Sequence, residues 1–220
     1  RRPLLESGRI LQAHGLEIWA GLIMGLDTDS PQTADQIVSF VESSAITMAM
    51  VNLLNAPVGT QLWRRLKAAG RLLDRPPFGD SLTDTNVVYL EGAEEVFRQF
   101  HSVWRRLYEP RAYLKRIREN LARTGGGRGE LGVLLAWRLR LRSFPRLIWQ
   151  LGIRAPYRGA FWSLLLWSLR KGMLDAFMFQ ICLAYHCIRF RDQVLAAARP
   201  PRPQRIEGAV GAAQDPILAQ

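Results

Sequence analysis

The chain has 220 residues, room for one ordinary domain or one and a half small ones. With 48% hydrophobic and 22% charged residues, wholesale disorder is excluded, and two cysteines exclude both a disulfide scaffold and a cysteine-only zinc or iron–sulfur site built from this chain alone. The net charge of +11 points to an acidic partner; it splits into −4 through residue 95 and +15 from residue 96 on, which suggests two modules with different jobs.

Residues 4–14 space Leu4, Leu5, Ile10 and Leu11 on one helical face, and Gly15 ends them. Residues 16–25 are apolar, short and bounded by glycine, which predicts a buried strand. A turn from Asp27 to Pro31 follows, with Ser30 the expected N-cap and Pro31 the first helical residue. Residues 31–43 carry Ile37, Val38, Phe40 and Val41 as an amphipathic helix, and 46–54 form a second apolar strand. The turn Asn55 to Thr60 leads into a helix over 61–69, capped by Thr60 and stopped by Gly70. Helix, strand, helix, strand, helix in short steps means a parallel sheet with crossover helices. Two parallel strands make no stable sheet, because parallel sheets are buried on both faces. The half-module therefore reads as incomplete, its missing strands supplied from upstream sequence or another chain.

Residues 71–90 are irregular, with a short strand expected at 87–90. Residues 92–107 place Val96, Phe97, Phe100, Val103, Trp104 and Leu107 at helical spacing, and Pro110 opens a helix to about Arg123. The glycine run at 124–129 is a break. Helices are predicted over 130–142, 144–151, 159–170 and 173–198, and a disordered tail after Pro200. No apolar stretch reaches the ~18–20 residues a membrane span needs. The chain begins Arg1-Arg2-Pro3 with no secretory leader in view, so the expected location is cytoplasmic, at most peripheral to a membrane.

Four features carry chemistry or mimic it. Gly21-Leu22-Ile23-Met24-Gly25-Leu26-Asp27 ends the first strand, where glycines let a ligand approach the backbone; packing glycines are the plainer reading. Leu53-Leu54-Asn55-Ala56-Pro57-Val58-Gly59-Thr60 lies on the same edge, the carboxyl end where α/β proteins bind ligands; a tight strand-to-helix turn with a Thr cap is the equal alternative. Thr83-Asp84-Thr85-Asn86 is either a ligand loop or an ordinary turn. The Arg-rich stretch from Arg98 to Arg170, interleaved with Trp104, Trp137, Trp149, Trp162 and Trp167, is by default a solvated helix face; between specific partners it suits a membrane surface better than nucleic acid, for which no binding module is present. Cys182 and Cys187, five apart, read as buried core cysteines, and His14 and His101 as structural.

Taken together, Gly15 to Asp27 resembles the fifth strand of radical S-adenosylmethionine enzymes, and Ala49 to Leu66 the sixth strand and helix of their cobalamin-binding branch, which includes proteins of hopanoid modification. Members of that branch follow the barrel with a helical domain of unknown function. Thr83-Asp84-Thr85-Asn86, Leu107-Tyr108-Glu109-Pro110-Arg111-Ala112-Tyr113 and Ala184-Tyr185-His186 are similar to its landmarks, and the likeness spans about residues 4–195. The resemblance implies S-adenosylmethionine and a [4Fe–4S] cluster held by a C-x₃-C-x₂-C loop, and leaves cobalamin open. It gives Gly21, Ile23 and Gly25 the place along the adenine, with Leu54, Asn55, Gly59 and Thr60 as weaker candidates. No cysteine loop or cobalamin region has a counterpart here, and Thr28 stands where the family often has an acidic residue.

The fold expected is α/β plus all-α: a partial radical-enzyme barrel over 1–72, a helical domain over 73–198 and a tail over 199–220. The function expected is that of the carboxyl-terminal part of a radical enzyme, inactive alone, with a lipid or isoprenoid substrate. Its partners would be the missing amino-terminal part and an anionic membrane surface. The alternative is a non-catalytic basic helical module at such a surface.

Overall fold

The computed structural model describes residues 3–73, 84–126 and 144–200. The elements run α1 (Leu4–Ala13), β1 (Trp19–Met24), α2 (Thr33–Ser44), β2 (Met48–Leu53), α3 (Gln61–Ala68), α4 (Ala93–Leu107), α5 (Pro110–Thr124), a π-helix (Ile148–Arg154), α6 (Arg158–Arg170) and α7 (Leu174–Ala197). The helix predicted over 130–142, Trp137 and the tail beyond Pro200 lie outside the described residues.

β1 and β2 pair in parallel, with Trp19 opposite Met48, Gly21 opposite Met50 and Ile23 opposite Asn52. The side-chain period of two gives the pair two unlike faces. Met24, Ala49, Val51 and Leu53 are buried against the helices. On the other face Trp19 is 61% exposed and Ile23 52%. Met50 on that face is exposed as well, while Met48, at its start, packs toward α7 with its sulfur 3.8 Å from Cys187 Sγ.

The helices form one continuous core with the buried sheet face. α4 supplies the densest part: Val96, Phe97, Phe100, Val103, Trp104 and Leu107 are all buried, as the spacing predicted. Its aromatic rings run into α5 at short range, Trp104 to Tyr108 at 5.2 Å and Tyr108 to Tyr113 edge-on at 5.1 Å. Such pairs add about 0.5–1.5 kcal/mol each beyond the area they bury. α5 opens with Pro110 at its first position and Glu109 as N-cap, accepting from the Ala112 amide at 2.7 Å.

Five local expectations change. β1, expected to be a buried strand, is exposed at every second residue, because nothing described packs over Trp19 and Ile23. α2 starts at Thr33, not Pro31: Ser30 does not cap it but donates its amide to the Thr33 hydroxyl at 2.8 Å, and a turn through Pro31 and Gln32 intervenes. The strand expected at 87–90 is an isolated antiparallel bridge between Leu72 and Val87. Residues 144–151 enter a π-helix that runs to Arg154. A Cβ on its Gly152 would sit 3.0–3.3 Å from the Phe161 and Trp162 rings, so glycine there permits close packing on α6. Trp162 reinforces the contact by donating its indole N–H to the Gly152 carbonyl at 2.8 Å. Finally, Cys182 is exposed on α7, and of the two cysteines only Cys187 is a core residue.

Candidate functional site

The carboxyl ends of β1 and β2 carry the residues singled out from sequence. Four of the seven spend their side chains or backbone on the fold. Gly25 has φ +91°, and a Cβ there would overlap the Tyr89 ring. Its amide donates to Asp29 Oδ2 at 2.7 Å, as does that of Leu26 at 3.1 Å, so Asp29 clamps the turn. Leu54 is buried, and its carbonyl accepts the Thr85 hydroxyl at 2.7 Å. Gly59 turns the chain with φ +85°. Thr60 caps α3, its hydroxyl accepting from the Trp63 amide at 3.1 Å, as expected.

The other three stay available. A Cβ on Gly21 would meet nothing within 4 Å, so it leaves a step in the open sheet face. Ile23 projects from that same face one pleat further on. Asn55 is half-buried and holds its Oδ1 out of solvent with no hydrogen-bond partner. An unmet buried acceptor is costly by about 1–3 kcal/mol, so it marks a place for a donor. Met50, Asn52 and Trp19 share the open face and were not picked out from sequence, although the period of two places them there.

Thr85 and Asn86 are clamps. Asn86 grips the Ala56 peptide from both sides, donating to its carbonyl and accepting from its amide, each at 2.8 Å. Both side chains are buried and spent on backbone groups, so they offer nothing to a ligand. Of the Thr83–Asn86 segment, Thr83 lies outside the described residues. Tyr89 packs beside them, and burial pushes its hydroxyl up to about 12.

The two edges of the sheet differ. Leu54 donates to the Met24 carbonyl at 2.8 Å, which fixes the phase of the ladder. Ala49 and Val51 therefore point their backbone groups away from β1, and Trp19, Gly21 and Ile23 point theirs away from β2. The β2 side is closed by α4 and its C-cap: Trp104 donates to the Val51 carbonyl at 3.2 Å, and the Tyr108 hydroxyl takes both polar groups of Ala49. No described hydrogen bond closes the β1 side.

A [4Fe–4S] cluster does not fit the residues present. Cys182 and Cys187 are the chain's two cysteines, one exposed and one buried on the same helix. Burial raises both thiols, the reverse of what a thiolate ligand needs. Among the described residues no three His, Cys, Asp or Glu gather as a metal site. Of the tryptophans in the basic region, Trp104 is buried and Trp167 lies half-buried under the Arg118 guanidinium at 5.3 Å, while Trp149 and Trp162 are exposed. A cleft of about 420 Å³ opens between the π-helix and α7, with Arg154, Tyr157, Tyr185 and Arg189 at its walls. Among the described residues no helix is long and apolar enough to cross a membrane.

Comparison with known proteins agrees with the sequence. The chain is 32% identical over 194 residues to the hopanoid C-2 methylase of Rhodopseudomonas palustris (strain TIE-1), covering 84% of this chain and 35% of that protein. It is 30% identical over 164 residues to an uncharacterized methyltransferase of Synechocystis sp. (strain ATCC 27184 / PCC 6803 / Kazusa), covering 74% of this chain and 30% of that protein. The chain thus spans about a third of the length of these curated relatives. No solved structure matches it. Residues 60–199, from the cap of α3 past the end of α7, match the family described as Domain of unknown function (DUF4070), and the chain belongs to that family.

Proposed function

We propose that this chain is the carboxyl-terminal part of a radical S-adenosylmethionine methylase acting on an isoprenoid lipid. In this reading β1 and β2 are the last two strands of its barrel. The observation that carries it is the asymmetry of the sheet. The β2 edge is sealed by Trp104 and Tyr108, whereas no described hydrogen bond closes the β1 edge, and Trp19, Gly21 and Ile23 are exposed on the face beside it. Strands added beside β1 would bury that face and turn it inward. The names of the two relatives, a methylase and a methyltransferase, support the reaction class, and hopanoid in the first name supports the substrate class.

S-adenosylmethionine with its iron–sulfur cluster supplies radical chemistry when bound; the cluster's ligands would come from the rest of the enzyme. The residues here act on the nucleoside. Gly21 leaves room for a flat base against the strand, Ile23 offers it an apolar contact, and Asn55 Oδ1 accepts from an amine or hydroxyl. Gly25, Leu54, Gly59 and Thr60 hold the loops that carry them.

The test joins this chain to the upstream part of its gene product. Reconstituted without oxygen, the long protein is expected to cleave S-adenosylmethionine, and the 220-residue chain alone is not. Asn55→Ala in the long protein is expected to raise KM for S-adenosylmethionine about tenfold with kcat little changed. Cleavage by the short chain alone, or none by the long protein, would overturn the proposal.

A further inference from the structure

α6 carries apolar residues beyond its core face. Phe161, Leu164 and Leu165 face the core, while Trp162, Leu166 and Leu169 lie exposed along one flank, about a third of a turn round the helix. A second apolar strip beside the core face of a helix calls for a second partner. The row Arg158, Trp162, Leu166, Arg170 follows the i, i+4 line of the helix, so two apolar residues lie between two exposed guanidinium groups. The π-helix extends the same chemistry with exposed Trp149 and Ile153. From Phe144 to Leu174 the chain has five basic residues, all exposed, and no acidic one.

We infer that α6 and the π-helix form a docking surface for an anionic lipid bilayer. The charge chooses the occupant. A run with five cations and no anion, interleaved with exposed Trp and Leu, matches a negatively charged interface in which rings and aliphatic chains sink while arginines reach the headgroups. A protein partner would also have to be both apolar and uniformly acidic. The surface lies on α6 and the π-helix, away from β1 and β2, and does not depend on the radical-enzyme reading.

The test is flotation of the chain with vesicles of phosphatidylcholine alone or mixed with phosphatidylglycerol. Binding is expected to the anionic vesicles at low salt and to fall as salt rises. Leu166→Ser/Leu169→Ser and Arg158→Glu/Arg170→Glu are each expected to weaken it about tenfold or more. Ile23→Ser/Met50→Ser, on the open sheet face, is the control and is expected to leave it unchanged. Circular dichroism of each variant separates lost binding from lost folding. Equal binding to neutral vesicles, or binding untouched by both α6 variants, would overturn the inference. So would self-association of the chain in the absence of vesicles, abolished by the same α6 substitutions, since the face would then be a protein contact.

Discussion

The Tyr108 hydroxyl accepts from the Ala49 amide at 3.2 Å and donates to the Ala49 carbonyl at 2.7 Å. One side chain from the end of α4 thus replaces the neighbouring strand that β2 lacks. Unpaired strand edges invite aggregation, and a buried edge without partners is costly. The helical region is therefore a structural terminus for the sheet as well as a body of its own.

Removing that hydroxyl leaves both Ala49 groups buried and unmet. Tyr108→Phe is expected to lower the unfolding free energy by about 3 kcal/mol, at ~1–3 kcal/mol per orphaned group. Urea denaturation followed by circular dichroism measures it; a change within experimental error would show that the phenol is not needed to close the edge.

The Asn86 clamp predicts a second loss. Asn86→Ala frees both polar groups of the buried Ala56 peptide and is expected to cost about 3 kcal/mol. Asn86→Asp keeps an acceptor but loses the donor, and should not restore stability. If the aspartate variant melts like the parent, the two-sided grip is not what matters.

Gly25 is held by conformation and by space together. Gly25→Ala meets a positive φ and the Tyr89 ring, and is expected to destabilise by about 2 kcal/mol or more. Adding Tyr89→Ala should relieve the overlap but keep the backbone strain, so the double variant loses less than the sum of the single ones. Strict additivity in thermal melts would argue against the contact.

Buried phenols predict alkaline instability. Burial raises Tyr89 from 10.0 to about 12, and raises Tyr108 and Tyr113 as well. A folded-state value above the unfolded one means stability that is full below pH ~10 and lost as pH climbs through the folded value. Between pH ~10 and 12, Tyr89 alone should remove about 2–3 kcal/mol. Phenolate absorbance and loss of ellipticity should rise together; ionisation near pH 10 without unfolding would contradict the burial.

Much of the architecture was legible in the sequence because periodicity reports it directly. β1, β2 and α4 fall where their apolar spacing puts them, α5 opens at Pro110, and Thr60 caps α3 as its position suggests. Tertiary use of side chains was not legible. Trp104 and Tyr108 show the spacing of core residues, and nothing in that spacing says that their polar tips seal a strand edge. Thr85 and Asn86 have the composition of a ligand loop because the groups that bind ligands also bind backbone. Ser30 has the identity of a cap, but Thr33 takes the first helical place and accepts the Ser30 amide. Gly152 of the π-helix lets the Phe161 ring approach across space, a contact that no local pattern encodes.

Residue-resolved hydrogen exchange on the two sheet edges tests the central claim most directly. The outward amide of Ala49 is expected to be protected in the 220-residue chain, while those of Gly21 and Ile23 exchange quickly and become protected once the upstream part of the protein is attached. Gly21 and Ile23 amides already protected in the chain alone would contradict it, because β1 would then have a partner other than missing strands of the barrel.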